Sequence, residues 1–186
     1  MPLEPAEYVA PAGVEFRDGT PDDVLCVSVL AMQVFLDTYA TSGLSADLAR
    51  EALSVYSLAA FSERLAQPAT RFLLAEKSGY LLAFAEVSSD GPAPNPATHG
   101  GAELIRLYVQ RPFKRMRIGG ALLRRAEALA LTQSAPSLWL TAWSGNLAAL
   151  SFYAASGYSD VGATKYVIAD NAYENRILMK TFTLPT

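Results

Sequence analysis

ELIRLYVQRPFKRMRIGGALLRR, from Glu103 to Arg125, is the stretch on which the reading of this chain turns. Leu104 to Val109 is apolar and rich in strand-favouring residues, and reads as a buried strand. Pro112 ends it, because proline cannot serve the ladder of a central strand. Farther on, Ile118, Ala121, Leu122, Ala126, Leu129 and Ala130 recur at helical spacing, so this segment is a helix with one face on a core. Between the two lie Arg111, Lys114, Arg115 and Arg117, followed by Gly119 and Gly120. A strand that feeds a basic, glycine-bearing turn at a helix N-terminus suits an anion such as phosphate. The first amides of a helix lack intrahelical partners, and the helix dipole is positive there. From Arg106 to Arg125 there are seven Arg or Lys and no Asp or Glu, in a chain whose net charge is -3. That local inversion of charge marks the functional candidate.

The chain has 186 residues, enough for one domain with a substantial core. Hydrophobic residues make up 51% and charged residues 18%, which excludes global disorder. No run of eighteen apolar residues suggests a membrane span, so no membrane partner is expected. The start, MPLEPAEYVAPAG, carries acids and prolines rather than a basic segment and an apolar core, so no secretory signal is expected and the cytoplasm is the default. The acidic balance argues against nucleic acid as a partner. Cys26 is the only cysteine; flanked by Leu25 and Val27, it reads as a core residue.

Working outward, residues 1–13 read as a loose tail and 14–186 as the domain. Val14 to Arg17 reads as a short strand. Thr20-Pro21-Asp22-Asp23 announces a helix running to about Tyr39, with Val24, Val27, Ala31, Val34 and Phe35 on its core face. A second helical region begins near Ser45, with a bend or split near Ser57, and stops around Pro68. Arg71 to Lys77 and Tyr80 to Ser88 form a hairpin around Ser78-Gly79. Asp90 to Gly101 is a long Pro- and Gly-rich connection, read as a mobile surface loop, with a substrate lid as the alternative. His99 lies within it and has no second ligand beside it, so no metal is expected. Ser137 to Trp143 is another strand. Two final strands, Tyr158 to Val167 and Arg176 to Thr183, are joined through Asp170-Asn171.

Between these strands, SGNLAALSFYAASGY reads as a helix capped by Asn146 and terminated at Gly157. Seven residues separate Asn146 from Tyr153, almost two turns, so the two lie near one face and roughly 10 Å apart along the axis.

Taken together, Leu107-Tyr108-Val109, Gly119, Asn146, Phe152-Tyr153 and Gly157-Tyr158 resemble the GNAT superfamily of N-acetyltransferases. The family's signature, [Gln/Arg]-x-x-Gly-x-[Gly/Ala], falls on Lys114, Arg115, Met116, Arg117, Ile118 and Gly119. Lys114 and Arg117 depart from it. The segment VGATKYVIADNAYENRILMK resembles a bacterial branch that includes polyamine acetyltransferases. The resemblance covers roughly Val14 to Lys180 and implies a single-domain α/β (α+β) GNAT fold, a mixed central sheet of about seven strands flanked by about four helices.

It also implies a reaction: acetyl passes from acetyl-CoA to a primary amine by direct attack on the thioester, without a metal. The turn Lys114 to Gly120 would hold the pyrophosphate, and the strand at Leu107, Tyr108 and Val109 would hold the pantetheine arm as an edge strand. The Val109 amide would donate to the thioester oxygen, and Asn146 would bond the pantetheine, its alternative being a plain helix cap. Tyr153 is the candidate general acid, and a core aromatic otherwise. Glu103, six residues before Val109, is the candidate base, and a polar strand-end residue otherwise. Tyr39 and Tyr56 read as packing residues, with acceptor-pocket lining as the alternative. If Arg117 is already helical it adds a cation to the diphosphate, and the neighbouring cations favour this; if the position requires positive φ, the side chain works against binding. Two other readings stay open, a degenerate acyl-CoA-binding sensor or structural subunit and a small nucleic-acid-binding module. The acceptor is expected to be a polyamine or another small amine, and a homodimer is left open.

Overall fold

In the computed structural model, which describes residues 11–183, seven strands form one sheet in the order β1-β2-β3-β4-β5-β7-β6. They are β1 (Glu15–Asp18), β2 (Thr70–Lys77), β3 (Tyr80–Ser88), β4 (Ala102–Val109), β5 (Ser137–Trp143), β6 (Ser159–Ile168) and β7 (Asn171–Thr181). Every neighbouring pair is antiparallel except β4 and β5, which are parallel and joined through a helix. The helices are α1 (Val24–Tyr39), α2 (Ala46–Val55), α3 (Leu58–Leu65), α4 (Ile118–Thr132) and α5 (Leu147–Ala155). They number five because the second helical region divides at Ser57, whose hydroxyl accepts from the Ala60 amide and caps α3.

Strand alternation builds a core on each face of the sheet. In β2, Leu73 and Ala75 point to the side covered by α4 and α5, whereas Phe72 and Leu74 point to the side covered by α1, α2 and α3. In α4, Ile118, Leu122, Leu123, Ala126 and Ala130 pack against Ala83, Ala85, Leu104 and Leu138. On the opposite face Phe35 and Phe61 meet Phe84, and Phe72 stacks on Phe84 at 6.0 Å. The hairpin closes as expected, with Ser78 and Gly79 both at positive φ, the backbone a two-residue turn of matching twist requires.

Three expectations change. Cys26 is exposed. Its helix buries Val27, Leu30, Ala31, Val34 and Phe35, which turns Leu25, Cys26 and Val29 to solvent at a 3.6-residue period. The 90–101 connection is fastened rather than loose: Thr98 is fully buried, and the Asn95 side chain donates to Val161 O at 3.1 Å. Strand β4 is interior, not an edge, since β3 and β5 flank it. Of the expected tail at residues 1–13, residues 1–10 lie outside the described residues. Among the described residues no helix is long and apolar enough to cross a membrane.

Candidate active site

Strand β4 pairs with β3 over its whole second half but with β5 only at Ala102↔Leu138 and Glu103↔Trp139. Beyond Glu103 the two parallel strands part, and a cleft of about 850 Å³ opens between them. A bulge at Ile105, between the Val87↔Leu104 and Glu86↔Arg106 pairs, bends β4 at that point. Gln110 donates its N–H to Leu82 O at 3.1 Å, toward β3. Backbone groups alternate in direction along a strand, so the Leu107 and Val109 amides face the side that β5 has left.

The cleft passes through the sheet. Leu107, Val109, Phe152 and Tyr153 belong to the α4/α5 face, whereas Val34, Tyr39 and Tyr108 belong to the α1–α3 face, and all seven line the cleft. Lys114, Arg115, Arg117, Gly119, Gly120 and Asn146, expected from the sequence to hold a cofactor, line it as well. Met116 and Ile118 do not. Met116 projects into solvent, and the Ile118 side chain is core.

Arg117 is not helical. It is the N-cap of α4 with φ 63° and ψ 3°, and Arg115 is also at φ 63°. The position where the family's signature carries glycine therefore keeps a left-handed backbone, at a cost of about 1–2 kcal/mol for a side-chain-bearing residue. The expectation of a helical Arg117 fails for this reason. Among the described residues Lys114 and Arg115 have no carboxylate partner. A Cβ on Gly119 would meet only Val109 and Phe152, at 3.6 and 3.9 Å, which is ordinary contact. The protein's own packing does not require glycine at 119; a ligand drawn against the backbone would. Uncommitted cations, helix-terminal amides and an open glycine together fit a diphosphate.

Asn146 does act as a cap, its Oδ1 accepting from the Ala149 amide at 3.1 Å, while the residue also lines the cleft. Two turns along α5, Tyr153 is 7% exposed, its ring against Phe152 and Tyr158. Burial first, and Tyr108 second, push its hydroxyl above the usual phenol range, so it is protonated at neutral pH.

Glu103 stands apart. It lines a second pocket of about 280 Å³, with Glu86, Arg106, Arg64 and Asp90, that shares only Ile105 and Arg106 with the cleft. Burial, then the Glu86 charge, raise its carboxyl to about 7, opposed by Arg106. Glu86 is fully buried and ion-paired to Arg106, leaving its Oε1 without a partner. Glu103 and Tyr153 are thus not brought together in one cavity.

Sequence reasoning missed Thr38, Trp143 and Asn175, which line the cleft with Tyr39. Tyr39 stacks on Trp143 at 5.5 Å and meets Tyr173 edge-on at 5.3 Å. Tyr56 is core, its hydroxyl sharing a hydrogen bond with that of Tyr108 at 3.4 Å. The signal for Trp143 was its place at the carboxyl end of a parallel strand, where open α/β sheets form ligand crevices.

The sheet is thus parted between two parallel strands, with a cationic helix N-terminus on one face and an aromatic wall on the other. The sequence model of the Acetyltransferase (GNAT) family matches residues 38–158, and the chain belongs to that family. An uncharacterized N-acetyltransferase in the pepI 3' region of Lactobacillus delbrueckii subsp. lactis is 22% identical over 168 residues, 90% of this chain and 97% of that protein. The crystal structure of PaiA N-acetyltransferase from Thermoplasma acidophilum in complex with coenzyme A is similar at TM-score 0.70 and 21% identity, over 91% of this chain and 99% of that one. A ribosomal-protein-alanine N-acetyltransferase from Brucella melitensis is similar at TM-score 0.67 and 19% identity, over 90% and 99%. At these identities the solved structures speak for the fold alone.

Proposed function

We propose that this chain transfers acetyl from acetyl-CoA to the primary amine of a small molecule. The observation that carries the reading is the opening between β4 and β5, which joins the cationic turn of α4 to Tyr153 within one cleft. In this reading the diphosphate lies against Lys114, Arg115 and the first amides of α4, and the pantetheine arm runs beside β4.

Acetyl-CoA supplies the acetyl group as an activated thioester. The chain's residues then do three things. The Val109 N–H donates to the carbonyl oxygen, where charge develops as the amine nitrogen attacks. The Tyr153 hydroxyl gives its proton to the sulfur as the C–S bond breaks. Its raised pKa makes that donation costlier, and the same burial disfavours the thiolate it would neutralise. The proton lost by the amine passes through water, with Glu103 behind Ile105 and Arg106 as a group that titrates near neutrality.

An alkylamine is only about one part in 10³ neutral at pH 7. Burial in the cleft lowers the pKa of a bound amine and favours the attacking form. Among the cleft's described lining residues there is no carboxylate to hold the ammonium form.

Free-thiol release from acetyl-CoA over a panel of small amines tests the reading. Amine-dependent release supports it. Tight coenzyme A binding without release on any amine would leave a binding protein instead.

A further inference from the structure

The cleft's two halves differ in chemistry: the turn into α4 brings cations to one, and the α1–α3 face brings aromatic rings to the other. Trp143 and Asn175 are register partners across β5 and β7, so their side chains stand on the same face of the sheet. The stack of Trp143 on Tyr39 puts that face on the α1 side. Asn175 is 7% exposed, lines the cleft, and its Oδ1 has no hydrogen-bond partner. A buried acceptor without a donor is costly, and here it borders the cleft between β4 and β5.

We propose that Asn175 and the Tyr39–Trp143 stack form the acceptor subsite, selecting a primary amine with a flat apolar body and a hydrogen-bond donor that meets Asn175 Oδ1. This rests on the reading of the cleft as an acyl-transfer site. Aromatic walls reward a flat apolar body by area and by ring packing. A polyamine such as spermidine has no ring to lay against Tyr39 and Trp143, and its ammonium groups would lose their water against that apolar wall. The subsite therefore ranks amines in the opposite order from the one the C-terminal segment suggests by resemblance.

Calorimetric titration of the full chain with tyramine, a flat primary amine whose phenol O–H can donate, and with spermidine, each with and without saturating coenzyme A, measures this without requiring turnover. The expected result is binding of tyramine at least about tenfold tighter than spermidine. Asn175→Leu should lose about tenfold for tyramine, from the lost acceptor, while its coenzyme A affinity stays unchanged. Tyr39→Leu provides a second variant and should narrow the preference between the two amines. Tighter spermidine binding, or an Asn175→Leu protein that folds and binds tyramine like the parent, overturns the proposal. Failure of coenzyme A to bind would count against the transfer reading alone, because the amine titration without coenzyme A still reads the subsite.

Discussion

Glu103 of β4 and Trp139 of β5 face one another in register at the last point where these two strands are paired. The cleft opens beyond that point. The Leu107 and Val109 amides face the opening, while the second half of β4 remains paired to β3 on its other side. Native-state hydrogen exchange should therefore show Tyr108 protected and Leu107 and Val109 fast in the free protein. Added coenzyme A should slow the latter two. Equal protection of all three amides without ligand would mean that the strands are closed.

Arg117 at φ 63° is a side-chain-bearing residue in backbone that favours glycine. Arg117→Gly should raise stability by about 0.5–1 kcal/mol, the relief being partly offset by glycine's greater freedom in the unfolded chain. Arg117→Val, branched at Cβ, should lower it by about 1–2 kcal/mol. Urea midpoints measure both. A destabilised glycine variant would show that the left-handed conformation is not what limits this position.

Tyr153→Phe keeps the ring packed against Phe152 and Tyr158 and removes only the hydroxyl. It should lower kcat by about 10²-fold or more with little change in coenzyme A affinity. Near-parental turnover in a steady-state assay would take Tyr153 out of the chemistry.

Burial and the Glu86 charge raise the Glu103 carboxyl from 4.5 to about 7, so the folded chain keeps a proton that the unfolded chain has lost. Glu103 is most favourable to folding below pH 4.5. That contribution falls as pH rises and is gone above 7. Glu103→Gln should flatten this slope and, at pH 8, exceed the parent by about 1–2 kcal/mol once solvent screening is allowed for. Denaturant titrations at pH 5 and 8 give the comparison, and parallel pH profiles would refute it. Asp23, held at about 2 chiefly by its hydrogen bonds with Arg17, acts in the opposite sense and only in acid, outside this window.

The elements whose evidence is local were legible in the sequence. The change from strand to helical period between Val109 and Ile118, the turn at Ser78-Gly79, the split near Ser57 and the caps at Ser45 and Asn146 each follow from a few adjacent residues. The parting of β4 from β5 was not legible, because strand pairing across a helical crossover leaves no local trace. Asn175 was hidden for the same reason, since its meeting with Trp143 depends on register between β5 and β7. Cys26 was misplaced because α1 carries apolar residues on its exposed face too: Leu25 is 57% and Val29 60% exposed. Arg117 was misjudged because side-chain charge suggests a phosphate ligand while saying nothing about φ.

The central claim is that a diphosphate-bearing thioester is held where α4 begins. Gly119 separates that claim from any question of folding, since a Cβ there meets only Val109 and Phe152 at ordinary distances. Titration calorimetry of acetyl-CoA into the parent and into Gly119→Glu is the most direct measurement. The parent should bind with a Kd of roughly 1 μM to 1 mM, the range in which enzymes commonly hold substrates. The variant, folded but presenting a carboxylate to the diphosphate, should show no measurable binding. No binding heat from the parent, or equal affinity in the two proteins, would contradict the account.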